Sequence, residues 1–444
     1  MIHNYSRLLR IGFLVSLLLL SFLPVAVGTT LWNPQLEEAV KCSRTNISQQ
    51  VNSNSEGVTG WSASSFSGGQ GIVVDHTGNI YTLTSNFHLV KWNASGNMLW
   101  DETWEANISG ISEYGKDLCI DSDENIYAVG TITGASFFDK GKAIILVKWN
   151  TTGFKLWNRS WCMNLDTEEE ENQFYDFNVA SDTNGDVYTL AFATSGYVLV
   201  KWSASGKQLW NRTWTAPNGA LNAVPLKPGL AISISENICT ITGRMLTKWD
   251  TTGGKVWNYT FEEDPGPLDG NGVVFDDIEN IYIFGHGYRA PPIMDAIPGV
   301  LLMGCDANGT LLWRKIWYGK GHTWGEEMVL DDEGYIYVVG STWMSQGNWD
   351  ILLMKWDTLG TFYGIKTWNV TKRDQGHNLA LGKDKNIYCV GDVDDVLAVV
   401  VFSPDNFSIP ERTVGISGFE LPLIILVVCM LGFLTRRKIP KSKF

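Results

Sequence analysis

Histidine is the commonest catalytic side chain, and this chain has only 6 in 444 residues. His76, His88, His286, His322 and His377 are far apart, and no His-Glu-x-x-His, Gly-x-Ser-x-Gly elbow or glycine-rich phosphate loop accompanies them. No nucleophile constellation emerges, so the sequence offers no catalytic residue. Acidic turns such as Asp121-Ser122-Asp123-Glu124-Asn125 and Asp182-Thr183-Asn184-Gly185-Asp186 carry oxygen ligands of the kind calcium takes. A calcium loop of the EF-hand type needs a bidentate acid at its twelfth position, and Ile132 stands there after Asp121. These turns recur along the chain, which fits hairpin connections better than metal sites. The acidic run Glu168 to Glu171 reads as a solvated loop. Neither a metal nor a cofactor is expected.

Tryptophan is the more informative residue. Of the 20 Trp, 16 fall at regularly recurring positions and are expected in the core, while Trp32 lies in the leader region. Trp324, Trp343 and Trp349 fit no recurring position. An exposed indole gives a broad apolar contact with one polar N–H, which suits a sugar ring or a protein hot spot. These three, with the nearby His322, Tyr288 and Arg289, form the candidate ligand-binding set, and its expected partner is an extracellular protein or a glycan. The net charge of −13 and pI near 5.0 argue against nucleic acid as a partner. Seven Cys without regular spacing exclude a dense disulfide scaffold.

The elements that hold these residues come in a repeat. KWNASGNMLWDETW (Lys91–Trp104), KWNTTGFKLWNRSW (Lys148–Trp161), KWSASGKQLWNRTW (Lys201–Trp214) and KWDTTGGKVWNYTF (Lys248–Phe261) are copies of one phrase. Gly304–Trp317 and Lys355–Trp368 are degenerate copies. Before each comes an apolar run, an Asp-x-x-Gly/Glu-Asn turn and an Ile-Tyr pair, with Tyr at 81, 127, 188, 282, 337 and 388 and Cys239 in the remaining copy. Each unit of about fifty residues contains four short β-branched or aromatic runs parted by Gly, Asn and Asp. Four-stranded antiparallel units at this spacing predict propeller blades.

Seven units are counted, so the fold class expected is all-β, a seven-bladed propeller of four-stranded antiparallel blades. The last unit lacks its outer strand. Trp61 lies 14 residues before Asp75, as Trp317 does before Asp331. The segment around Trp61 is therefore expected to complete blade seven and close the ring. Antiparallel strands place the first-to-second and third-to-fourth turns on one face of the disc. All the long connections, Thr131–Lys142, Cys162–Asn178, Thr215–Gly229, His286–Gly299 and Thr342–Asp350, fall on the other.

The repeat resembles the SBBP-type β-propeller family, whose units read like Asp332-Glu333-Gly334-Tyr335-Ile336-Tyr337-Val338-Val339-Gly340-Ser341-Thr342 followed by Asp350-Ile351-Leu352-Leu353-Met354-Lys355-Trp356-Asp357. The likeness covers about residues 61–405 and implies architecture and a secreted or surface setting. The Gly-x-x-x-Trp phrases at Gly153–Trp157 and Gly206–Trp210 are also similar to quinoprotein repeats, which implies a second reading. That reading is an extracellular enzyme, either a quinoprotein-like dehydrogenase or a lyase or hydrolase using the central channel.

The two ends supply an address. Residues 1–28 read as a signal peptide, with Arg7 and Arg10 before the apolar Ile11–Leu23 and small residues at Ala26 and Gly28. Residues 29–55 are read as a linker, 56–409 as the propeller and 410–415 as a juxtamembrane linker. Residues 416–435 are long and apolar enough for one transmembrane helix, and the basic tail 436–444 fixes that end in the cytoplasm. The expectation is a single-pass type I protein of the cell membrane with its propeller outside. Sequons at Asn46, Asn93, Asn107, Asn150, Asn158, Asn211, Asn258, Asn308, Asn369 and Asn406 agree with an extracellular glycoprotein.

Overall fold

The computed structural model describes residues 48–409, less 53–55, 107–110, 134–142, 163–173, 194–195, 216–226, 262–267, 289–297, 320 and 346, together with 417–418. The expected signal peptide, basic tail and nearly all of the expected transmembrane helix lie outside these residues. Among the described residues, no helix is long and apolar enough to cross a membrane.

The chain builds seven antiparallel sheets in order. Blade one runs Gly69–Val74, Ile80–Thr84, His88–Trp92 and Met98–Thr103; blade two runs Ser112–Ile120, Ile126–Thr133, Ala143–Trp149 and Lys155–Trp161. Blades three to six begin at Phe174–Ser181, Gly229–Ile232, Leu268–Phe275 and Thr323–Leu330 and repeat the four-strand pattern. Middle strands such as Ala143–Trp149 and Val187–Ala193 are buried along their whole length, because each sheet has a neighbour on both faces. Outer strands such as Lys155–Trp161 are mostly exposed. Each apolar cluster joins residues of two successive blades: Leu83 with Ile145, Val129 with Val198, and Val390 with Ile72 across the first and last blades. The core is thus a ring of inter-blade interfaces.

Blade seven closes the ring as expected. Asp374–Leu381, Ile387–Val393 and Val396–Phe402 supply three strands, and the N-terminal Val58–Ser67 pairs with Val396–Phe402 as the fourth, Trp61 opposite Val399. Two additions were not foreseen. Ser48–Asn52 pairs outside Val58–Ser67 as a fifth strand, and Ser417–Gly418 forms a short ladder with Lys315 and Ile316 of blade five. Both extend an outer edge of a sheet, where unpaired backbone groups are available.

Two devices repeat around the ring. In the first turn, Asp121 accepts from the Asn125 amide at 2.8 Å and from the Tyr127 hydroxyl at 2.9 Å, and Lys148 Nζ lies 3.3 Å from Asp121 and 4.7 Å from the Tyr127 ring centroid. The acid is spent on closing its own turn, which accounts for its recurrence from blade to blade. In the second device, the outer-strand Trp of one blade lies under the turn glycine of the next. Trp157 donates to Ala204 O at 3.3 Å and Trp210 to Thr251 O at 3.0 Å. Blade six has Gly364 where other copies have this Trp, and Phe407 covers its Tyr337 instead, with ring centroids 6.1 Å apart.

Candidate functional site

The three unassigned tryptophans meet at the end of blade six. Its middle strands, Tyr335–Ser345 and Asn348–Asp357, are 11 and 10 residues long and form one extended hairpin, whose end is flanked by backbone bonds to His322 and Lys372. This corrects the expectation of a loop over Thr342–Asp350: Trp343 and Trp349 are cross-strand partners in the ladder, and Trp324 sits in Thr323–Leu330 opposite Ser341. The reason is local. Trp, Thr and Ile are good strand formers, and a turn centred on Gly347, at φ +83, lets the ladder continue.

The indoles form a continuous surface. Trp343 and Trp349 are near-parallel at 16° with centroids 6.3 Å apart, and Trp349 lies 4.9 Å from Trp324. His322 stacks on Trp324 at 5.5 Å and tilts against Trp343 at 5.4 Å. Trp343 is 39% exposed, while Trp324, Trp349 and His322 are half-buried. Their indole N–H groups are open, whereas those of the repeat tryptophans Trp61, Trp317, Trp356 and Trp368 are enclosed without a partner and others are bonded. Trp92, Trp202 and Trp249 donate to Thr82, Thr189 and Thr240 inside the sheets, whereas Trp324 and Trp349 donate to no acceptor among the described residues and are not enclosed. An aromatic platform with free donors is suited to binding. Tyr288 ends the strand Ile281–Tyr288 of the adjacent blade five, and Arg289 lies outside the described residues. The structure therefore brings together four of the six candidate residues.

The sequons divide by geometry. Asn158, Asn211, Asn258, Asn308 and Asn406 are exposed. Asn93 and Asn150 use Oδ1 to close their own turns, with no partner for Nδ2 among the described residues, while Asn369 spends Nδ2 on Asp350. A glycan on Asn369 would have to break that bond. Asn46 and Asn107 lie outside the described residues. The described cysteines, Cys119, Cys162, Cys239, Cys305 and Cys389, are free thiols.

One feature of the disc was not read from the sequence. The inner strands surround a central cavity of about 550 Å³ that opens towards the tight-turn face at Ser233, Asp276 and Asp277. Its floor is a ring of seven register-equivalent positions: Gly71, Asp117, Asn178, Gly229, Gly272, Glu327 and Asn378, each paired two residues beyond the repeat tyrosine (Cys239 in blade four). In five blades a β-bulge immediately precedes the ring position, and bulges re-aim side chains. Asn378 donates to Asp117 Oδ1 at 2.8 Å, the Val179 amide donates to Asp117 Oδ2 at 3.0 Å, and Lys227 pairs with Glu327 at 2.6 Å. Burial, with Glu327 adding to it and Lys227 opposing it, pushes the Asp117 carboxyl up to about 7. The signal was available, since every ring residue stands ten before the repeat tyrosine or its Cys239 substitute.

Comparison with known proteins agrees with this architecture. A family model described as outer membrane protein assembly factor BamB matches residues 25–284, more than half of the chain. No curated protein matches it. Among solved structures, a chain of the mitotic checkpoint complex aligns with TM-score 0.50 at 10% identity, over 80% of this chain and 94% of that one. The WD40 domain of Neurospora crassa Pan2 gives 0.48 at 10% identity, over 78% and 92%. The extracellular domain of a hybrid two-component system from B. thetaiotaomicron gives 0.46 at 12% identity, over 77% of this chain and 39% of that one. Likeness at such identity speaks to the fold alone.

Proposed function

The chain belongs to the BamB-like family of propeller repeats, and from that premise we propose that it is a surface interaction propeller that binds an extracellular protein or glycan through blade six. The observation that carries this reading is the Trp343–Trp349 stack at the end of the blade-six hairpin, with Trp324 and His322 against it. An aromatic surface with unused N–H donors gives affinity through area and orientation through hydrogen bonds. The family's description as an assembly factor accords with binding partners and not with turnover. The finer SBBP likeness adds a surface setting to this reading.

The signal at 1–28, the apolar run at 416–435 and the basic tail support a type I membrane protein with the propeller outside. Exposed sequons on the outer strands accord with the same compartment. A quinone cofactor bearing carboxylates does not fit the channel. The described floor presents Asp117 and Glu327, and Lys227 is already spent on Glu327. The reading is tested by screening the full-length protein against glycans and cell-surface proteins, with competition by free indole-stacking sugars to locate contact at blade six.

A further inference from the structure

The central cavity lies away from the aromatic platform, on the tight-turn side of the disc, and the function proposed above makes no use of it. Its chemistry is two-part. The wall is the inner strands themselves, at Ile72, Leu118, Val179, Leu230, Val273 and Leu379, whose side chains pack into the inter-blade clusters. The floor is polar, with Asp117, Asn178, Glu327 and Asn378 facing the space. Three of the seven ring positions are glycine, so the polar side chains of the other four occupy a floor that would otherwise be crowded.

The hydrogen-bond inventory of the floor is unbalanced. Asp117 accepts from the Val179 and Leu118 amides and from Asn378 Nδ2, and Glu327 accepts from the Met328 amide at 3.0 Å and from Lys227. A carboxylate has about four acceptor positions, so both groups have capacity left. Asn178 is 7% exposed, lines the cavity and makes no side-chain hydrogen bond among the described residues. Its amide is open to the cavity and so is available to a group that enters there. The charge is unbalanced in the same sense, with the carboxyl groups of Asp117, Asp176, Glu326 and Glu327 outnumbering Lys227 and His377 around the floor. What the floor lacks is a compact positive group with several N–H donors.

We propose that the cavity is a binding site for a primary ammonium group carried on an aliphatic chain. The ammonium donates to Asp117, Asn178 Oδ1 and Glu327, and the chain that carries it runs along the channel towards Ser233 and Asp277. A cavity of about 550 Å³ is within the usual range for small-molecule sites. Because burial disfavours the ionised form of Asp117, a bound cation favours loss of its proton. Binding at neutral pH is therefore accompanied by proton release, with Lys227, Glu326, Glu327, Asp176 and His377 as the other charged or titratable groups around the floor.

The test is calorimetric titration of the full-length protein with hexylamine, hexan-1-ol, hexanoate and a short lysine-bearing peptide, in two buffers of different ionisation heat. Hexylamine or the peptide should bind, with a heat that depends on the buffer, and the alcohol and the carboxylate should bind at least about tenfold more weakly. Preference for hexylamine assigns a free amine, preference for the peptide assigns an inserted lysine side chain, and either supports the site. Asp117→Asn should lower affinity at least about tenfold and remove the buffer dependence. Asn178→Leu, which leaves the charges alone, should weaken binding while the protein keeps its melting temperature, and it decides the matter if Asp117→Asn does not fold. Failure of both amines to bind folded protein, equal binding of hexan-1-ol, or unchanged affinity in the variants overturns the proposal.

Discussion

Asn378 donates Nδ2 to Asp117 Oδ1 at 2.8 Å, across 261 residues of sequence and past the whole of blade one. The two side chains meet because blade one has Gly71 at its ring position. A Cβ there would lie 2.8 Å from the Leu118 backbone nitrogen, against main chain that has no room to give. Blades seven and two are thereby tied directly across the channel, which makes the floor a brace for the closed ring.

Gly71→Ala should therefore destabilise the protein by about 1–3 kcal/mol, the usual cost of overpacking a rigid site. Asn378→Leu should cost a comparable amount by leaving a buried carboxyl short of a donor. Urea unfolding followed by tryptophan fluorescence measures both, and wild-type midpoints in both variants would contradict the brace.

The pH dependence of stability carries a sign set by Asp117. Its carboxyl is raised from 3.8 to about 7 in the folded state, so the folded protein holds a proton that the unfolded chain has lost. Its contribution is present at low pH and is lost as pH rises through about 7. His286, held down at about 4 by burial, acts oppositely in the same window, so the informative quantity is the difference between wild type and Asp117→Asn. Relative to the variant, wild type should lose stability from pH 4 to 7. Asp75 behaves in the ordinary way: hydrogen bonds from Thr77, Asn79 and Tyr81 outweigh its burial and hold it at about 2, so its contribution fades only as pH falls from 3.8 through about 2. Parallel curves for wild type and Asp117→Asn would refute the assignment.

Closure depends on Trp61, which is 7% exposed and whose ring lies 2.7 Å from where a Cβ on Gly96 of blade one would sit. Gly96 also has φ +79, which a side chain disfavours. Trp61→Ala should cost about 3–5 kcal/mol, and Gly96→Ala should also destabilise. Deleting residues 29–62 removes the closing strand and should lower the melting temperature far more than deleting 29–47. Equal melting temperatures for the two truncations would count against closure through this strand.

The proposed topology is checked with an epitope tag after Phe444. On intact cells the tag should resist protease, while the propeller should be accessible to a non-permeant label. Digestion of the tag from outside would reverse the orientation.

The ring and its closure were legible because both repeat. The Lys-Trp phrase, the Asp-to-Tyr turn and the spacing of Trp61 from Asp75 each mark a packing position that every blade must fill. The aromatic set was legible by exception, since Trp324, Trp343 and Trp349 stand outside the repeat. Their setting was misread because a nine-residue span containing Gly347 looks like a loop, whereas its β-branched and aromatic residues continue the ladder to the turn. The channel floor was missed because no single residue type recurs at all of Gly71, Asp117, Asn178, Gly229, Gly272, Glu327 and Asn378. Only their common distance from the tyrosine position unites them, and that distance acquires meaning once the strands are in register.

The central claim is that blade six presents a binding surface and not a buried packing layer. It is tested most directly by measuring partner binding and melting temperature together for wild type, Trp324→Ala/Trp343→Ala/Trp349→Ala and Trp356→Ala, using a ligand from the glycan and protein screen. Trp356 is fully buried in the blade core. The account predicts that the triple variant loses binding and keeps nearly the wild-type melting temperature, whereas Trp356→Ala is destabilised by about 3–5 kcal/mol and binds wherever it remains folded. A triple variant that unfolds, or that folds and binds as wild type does, would contradict it.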